Sequence, residues 1–136
     1  MVFTNGCFDV LHRGHVEYLA AARTLGDLLM VAVNDDGSVR GLKGPGRPVN
    51  PLEDRCVVLA GLTSVDLVVA FSEPTPVDLV ARVRPEVYVK GGDYRVEVLP
   101  EAAVVAGYGG EVRILPYVAG RSTTEILQRW RVPSSA

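Results

Sequence analysis

Leu28 to Val33 is an unbroken apolar run with turn-forming residues on both sides, Gly26-Asp27 before it and Asn34-Asp35-Asp36-Gly37 after it. A run without polar alternation has no face to offer water. It predicts a strand covered on both sides, as in parallel sheets flanked by helices. The rest of the chain alternates in the same way. Met1–Phe3 predicts a first strand, broken at Asn5-Gly6 before an amphipathic helix that runs to about Leu25. Gly41–Pro51 reads as a loop, and Pro51–Leu62 as a helix whose early acids, Glu53 and Asp54, favour its start. Asp66–Phe71 is a third strand and Pro76–Val83 a short helix. Glu86–Val89 is a fourth strand, stopped by Gly91-Gly92. Val96–Ala106 is a weaker helix interrupted by Pro100, Val112–Pro116 a fifth strand, and Ser122 to about Arg131 a last helix. Five strands alternating with helices predict an α/β fold, a Rossmann-like doubly wound parallel sheet, in one domain over residues 1–136. Ligands of such sheets bind outside the strand carboxyl ends, where the strand order reverses. The polar and glycine-rich clusters of this chain follow strands one, two and four and the last strand–helix connection, all at that edge.

Composition narrows the function classes. A net charge of −2 implies no general polyanion-binding surface, so nucleic acid is not an expected partner. Two cysteines without a pairing pattern suggest reduced thiols and a cytoplasmic setting. No apolar run approaches the roughly 18–20 residues of a membrane span, so no membrane partner is expected. No basic segment precedes an apolar one at the start, so no signal peptide is expected; the first strand begins at Met1.

The chemistry gathers first at Thr4-Asn5-Gly6-Cys7-Phe8-Asp9 and His12-Arg13-Gly14-His15. Histidines three apart on one helical turn would point the same way, with Cβ atoms roughly 5–6 Å apart. Gly14, without a side chain, lets a bulky group approach the backbone. A strand end, a tight turn, a helix start and paired donors make a cradle for a phosphate chain. A zinc site would need further ligands in a spacing that Cys7 and Cys56 do not supply. Ser122 with Glu125 reads as a capping box, and the helix start with Ser122, Thr123 and Thr124 as an anion site. Arg40 to Pro48 reads as a cationic, glycine-hinged lid: Lys43 approaches the reacting phosphates, and Arg47 or Arg55 clamps the phosphate of an acceptor. Lys90-Gly91-Gly92-Asp93 offers a surface for base and ribose. Asn34 and Asp35 end strand two as turn residues or as acceptor contacts. Asp9 suits a magnesium shell, the orientation of His15 or a structural cap. Cys7 suits a small buried packing residue. Tyr88, Tyr108, Tyr117 and Trp130 show no stacking pattern and read as core or interface residues.

The His12-Arg13-Gly14-His15 run with its lead-in resembles the signature of the HxGH nucleotidyltransferases. Adding Val33-Asn34-Asp35-Asp36, Leu42 to Pro48, Lys90 to Tyr94, Gly109-Gly110-Glu111-Val112 and Ser122-Thr123-Thr124, nearly the whole chain resembles the adenylyltransferases that form ADP-heptose. That resemblance implies strand order 3-2-1-4-5. It implies AMP transfer from ATP, with magnesium or another divalent cation, to D-glycero-β-D-manno-heptose 1-phosphate by in-line displacement. His12, His15 and Lys43 would be catalytic. Thr4, Asn5, Gly6, Cys7, Phe8, Gly14, Lys90, Gly91, Gly92, Asp93, Ser122, Thr123 and Thr124 would hold the nucleotide, with Ser122 and Thr123 on the β- and γ-phosphates. Asp9, Asn34, Asp35, Arg47 and Arg55 would face the acceptor. No direct protein ligand to the metal is implied beyond Asp9. The partners would be ATP and a sugar phosphate, a second copy of the chain is an option, and the sugar kinase of the bifunctional relatives would lie on a separate chain. A glycerol-3-phosphate (or other alcohol phosphate) cytidylyltransferase and a nucleotide-binding regulatory module without turnover are the alternatives.

Overall fold

The computed structural model describes residues 1–92, 96 and 99–116. The expected base contact at Asp93, the phosphate site at Ser122, Thr123 and Thr124, the last helix, Tyr117 and Trp130 lie outside the described residues. In chain order the elements are β1 (Val2–Gly6), α1 (Arg13–Arg23), β2 (Leu29–Asn34), α2 (Asp36–Lys43), α3 (Leu52–Ala60), β3 (Leu67–Phe71), α4 (Val77–Val83), β4 (Val87–Gly91), α5 (Pro100–Gly107) and β5 (Glu111–Leu115).

The strands pair in parallel in the order β3-β2-β1-β4-β5, as the family resemblance implies. Successive side chains of a strand point to opposite faces, and this separates two cores. Val2, Leu29, Val31, Val33 and Val89 meet Tyr18, Leu19 and Ala22 of α1 and Leu59 of α3. Phe3, Ala32, Phe71 and Tyr88 meet Val80 of α4 and Val105 of α5 on the other face. Both faces of β2 are thereby covered, which is why its sequence shows no alternation.

The register brings Gly6 beside Val33 and Asn34 beside Phe71, so β1, β2 and β3 end on one edge. β4 lies on the other side of β1, and the order reverses between β1 and β4. Several boundaries differ from expectation. β1 continues through Asn5 to Gly6, because both residues are still paired with β2. The glycine- and proline-rich segment is not a loop throughout: α2 carries Arg40 to Lys43 in helical conformation. The side chain of Asp35 caps this helix by accepting from the Ser38 N–H (2.8 Å), and Gly44, at φ +93°, ends it. Pro100 opens α5 rather than interrupting a helix, since the first helical position needs no N–H partner.

Candidate active site

The turn from β1 into α1 is built around two unusual backbones. Phe8 lies in the left-handed region (φ +48°), rare for a bulky residue and costing about 1–3 kcal/mol. His12 is extended (φ −144°, ψ 178°) and is the N-cap of α1 rather than part of its first turn. The expectation of two histidines on one helical turn is corrected here, yet the rings still meet. Their centroids are 4.0 Å apart, inclined by 30°. The Gly14 N–H donates to His12 Nδ1 (3.0 Å). That nitrogen is therefore the acceptor, and in the neutral ring the proton sits on Nε2. Gly14 itself is buried against the cap.

His15 also touches Phe8, at 5.4 Å between ring centroids. Its Nδ1 is buried with no hydrogen-bond partner. Burial, helped by the charge of neighbouring His12, pushes the His15 pKa down to about 4. At neutral pH its ring is thus uncharged, able to meet a phosphate oxygen as a neutral donor. No acid stands in the first turn of α1, so that turn leaves the positive end of the helix uncompensated by its own side chains.

The cations expected around the acceptor take different places. Arg55 is fully buried and spent on the protein: Nε donates to the Asn50 carbonyl (2.9 Å), Nη1 to the Cys7 and Asn34 carbonyls (both 2.7 Å) and Nη2 to Asp36 Oδ1 (2.7 Å). It pins the ends of β1 and β2 to the start of α3 and has no face for a ligand. Arg47 Nε donates to Asp9 Oδ2 (2.8 Å), and its two terminal nitrogens make no hydrogen bond among the described residues. Lys43 is exposed at the last position of α2. Burial raises the pKa of the Cys7 thiol, an effect that Lys43, Arg55 and Arg47 partly oppose. Three cations therefore bear on the loop after β1.

Asp9 is bonded to protein donors of segment 47–50 and not to His15. Its carboxylate accepts from the N–H groups of Val49 (2.8 Å) and Asn50 (2.8 Å) as well as from Arg47, and Asn50 Nδ2 donates to its carbonyl (2.7 Å). Burial pushes its pKa up, but those backbone N–H groups and the guanidinium outweigh it and the net shift is down. Thr4 is likewise internal, its hydroxyl bonded to Tyr18 Oη (2.7 Å) and donating to the Val89 carbonyl (2.9 Å). Asn34 is spent on Ser38 Oγ (2.8 Å) and, more loosely, on Cys7 Sγ (3.9 Å). Asn5 Oδ1 accepts from Tyr88 Oη (2.6 Å), and Gly6 forms the strand end under Phe8. Lys90 and Gly91 end β4, and the Gly92 N–H donates to the Leu115 carbonyl (3.0 Å). Tyr88 and Tyr108 are structural, the first stacked on Phe3 and the second donating to the Pro85 carbonyl (2.6 Å).

Asn50 went unnoticed in the sequence, although one residue ties Asp9 to Arg55. The Asn-Pro pair at 50–51 signals a turn and nothing about its partners. A cavity of about 690 Å³ beyond the end of β3 was also not foreseen; Asp35, Ser72, Glu73, Asp78 and Arg82 line its polar part and Leu52 and Phe71 its apolar part.

A family model described as cytidylyltransferase-like matches residues 3–129. The bifunctional protein HldE of Pseudomonas syringae pv. syringae (strain B728a) is 59% identical over 131 residues, which is 96% of this chain and 28% of that protein. HldE of Pseudomonas fluorescens (strain SBW25) is 56% identical over the same shares. The chain thus spans a little over a quarter of the length of these relatives. Among solved structures, a lipopolysaccharide core biosynthesis protein from Thermoplasma volcanium GSS1 superimposes with a TM-score of 0.68 at 28% identity, covering 86% of this chain and 94% of that one. A pantothenate synthetase from Thermus thermophilus shares the fold, with a TM-score of 0.59 at 22% identity over 86% of this chain and 56% of that one.

Proposed function

The chain belongs to the cytidylyltransferase-like family, and from that premise we propose that it transfers AMP from ATP to a sugar 1-phosphate, D-glycero-β-D-manno-heptose 1-phosphate. The observation that carries a nucleotidyl transfer is the histidine pair, its ring centroids 4.0 Å apart on the opening of α1 beside the point where the strand order reverses. The choice of ATP and of a heptose phosphate rests on the resemblance of the motifs and on the HldE relatives.

An oxygen of the sugar phosphate attacks the α-phosphorus of ATP in line, and pyrophosphate leaves. The attacking phosphate is already anionic at neutral pH, so no strong general base is needed. What the protein supplies is placement and charge. His12, with its proton on Nε2, and neutral His15 donate to phosphate oxygens as negative charge builds. Lys43 steadies the pyrophosphate as it departs. Arg47, gripped by Asp9 through Nε, presents its terminal N–H pair to the acceptor's phosphate, a bidentate geometry. Magnesium enters with ATP as part of the substrate. Among the described residues no fixed ligand set stands out: Asp9 is filled by protein donors, and no group of three or more candidate ligands gathers. The sugar hydroxyls face Asp35, Ser72 and Glu73 in the cavity beyond β3. No helix among the described residues is long and apolar enough to cross a membrane.

Pyrophosphate release is the test, with ATP or CTP paired in turn with heptose 1-phosphates, other sugar 1-phosphates and glycerol 3-phosphate. Release with ATP and the heptose phosphate supports the proposal. Release only with CTP and a polyol phosphate replaces it by the cytidylyltransferase reading. Nucleotide binding without release from any pair replaces it by a regulatory module.

A further inference from the structure

Histidines that act on substrates are commonly oriented by a hydrogen bond to the second ring nitrogen. His15 is not. Its Nδ1 is buried without a partner, and no hydrogen bond to its ring is made among the described residues. Two ring contacts are left to fix it, His12 at 4.0 Å and Phe8 at 5.4 Å. Phe8 is itself wedged against the end of β1: a Cβ on Gly6 would lie 2.9 Å from Phe8 Cε2. The left-handed backbone at Phe8 directs the ring there, and such a backbone persists only when its surroundings over-determine it. The next residue provides the constraint. Asp9 receives Arg47 Nε, the Val49 and Asn50 N–H groups and, on its carbonyl, Asn50 Nδ2. All of these come from one segment, 47–50, and Arg55 holds that segment from behind through the Asn50 carbonyl.

We infer that Phe8 is a positioning residue for His15 and that Asp9 holds Phe8 in place, coupling segment 47–50 to the histidine pair. On the nucleotidyl-transfer reading, on which the kinetic consequence rests, the acceptor's phosphate meets Arg47 at one end of this linkage and the nucleotide meets His15 at the other. Seating of the acceptor segment then sets the histidine geometry. In Asp9→Asn the new amide nitrogen would face donors at Arg47 Nε and Val49 N, so about half of the clasp is lost while side-chain size is kept.

The experiment uses the full chain with histidine rings isotopically labelled; with only two histidines, His12→Asn assigns both sets of signals. Wild type, Phe8→Leu, Asp9→Asn and Asn50→Ala are compared for ring resonances, ATP affinity and turnover. Asn50→Ala leaves the Asp9 carboxylate and its backbone donors intact, and so serves if Asp9→Asn does not fold. Expected are displaced His15 signals in Phe8→Leu, a displacement the same way in Asp9→Asn and a smaller one in Asn50→Ala. Turnover should fall about 10- to 100-fold, as for an ångström-scale misplacement, while the ATP dissociation constant stays within about threefold. His15 signals at wild-type positions in both Asp9→Asn and Asn50→Ala would overturn the coupling, and so would displaced signals with undiminished turnover. Should no phosphorylated acceptor support turnover in the wild type, the functional reading fails by itself, and the resonances still decide the coupling.

Discussion

The buried, neutral ring of His15 has a thermodynamic cost that can be measured. Its pKa of about 4 in the fold lies below the ordinary histidine value, so between the two the unfolded chain binds a proton that the native state does not. Stability from this residue is therefore complete above about pH 6.5 and declines as pH falls toward 4, by up to about 3 kcal/mol. His15→Asn should flatten that part of the curve; urea midpoints of both proteins from pH 7 to 4 measure it, and parallel curves would refute the buried neutral ring. Asp9 acts lower on the scale. Its depressed pKa gives stability that is present above the ordinary carboxylate value and lost as pH falls through the folded one. The same His15 substitution should cut turnover by about 10²–10³-fold, the effect of removing one preorganised donor. The two arginines separate equally sharply. Arg55→Met strands three carbonyls and should cost about 3 kcal/mol or more. Arg47→Met loses one bond to Asp9, about 1 kcal/mol, and should instead raise the acceptor KM. Melting temperatures beside acceptor KM values decide between the roles, and a folded Arg55→Met with an altered acceptor KM would return Arg55 to the binding site.

At the scale of elements, α2 changes the meaning of the lid. Lys43 is the last helical residue, so its Cα is fixed by the helix and the backbone freedom begins at Gly44. Gly44 (φ +93°) and Gly46 (φ +84°) both occupy conformations that L-residues rarely adopt, and the clasp at Asp9 closes the far side of the segment. Gly44→Ala should therefore cost about 1–3 kcal/mol through strain alone, as nothing stands within 4 Å of an added Cβ. Lys43→Met should lower turnover more than ATP affinity, because its charge matters most as pyrophosphate departs. A mutant with lost ATP binding and normal turnover at saturation would make Lys43 a ground-state anchor. The sequence disclosed what is written in periodicity and local chemistry. The apolar run of β2 and the convergence of His12 with His15 were legible. The helical state of Arg40–Lys43 was not, because Gly41 and the glycine- and proline-rich stretch after it carried the propensity signal, while burial of Val39 and the cap at Asp35 decided the fold. The roles of Arg55 and Asp9 were hidden for another reason. A cation or carboxylate near a phosphate motif reads as a ligand until its partners, 48 residues away for Arg55 and Cys7 and 40 for Asp9 and Val49, are known.

For the molecule as a whole, the strand order divides the carboxyl edge into two sides. β1 is central; β4 and β5 lie to one side of it, and β2 and β3 to the other. The end of β4 therefore belongs to one half and the cavity beyond β3 to the other, with the histidine pair at the start of α1 between them; on the proposed function the base is read in the first half. Such a division makes the selectivity for nucleotide and for acceptor separable. A base read by backbone groups beside Gly91 and Gly92 leaves a mismatched base with unpaired polar atoms, each costing about 1–3 kcal/mol. One or two mismatches give ATP an advantage over CTP of roughly 10- to 10³-fold in kcat/KM. Glu73 lines the opposite cavity. Glu73→Gln keeps its shape but weakens an acceptor for a sugar hydroxyl by about 1 kcal/mol, so the heptose phosphate KM should rise about fivefold. The ATP-to-CTP ratio should not move, since the proposed function puts the base on the other side. Both quantities come from one set of initial rates, two nucleotides against a range of acceptor concentrations, in wild type and Glu73→Gln. A fall in nucleotide preference with the acceptor KM unchanged would place the base in the cavity beyond β3 and reverse the assignment of the two halves.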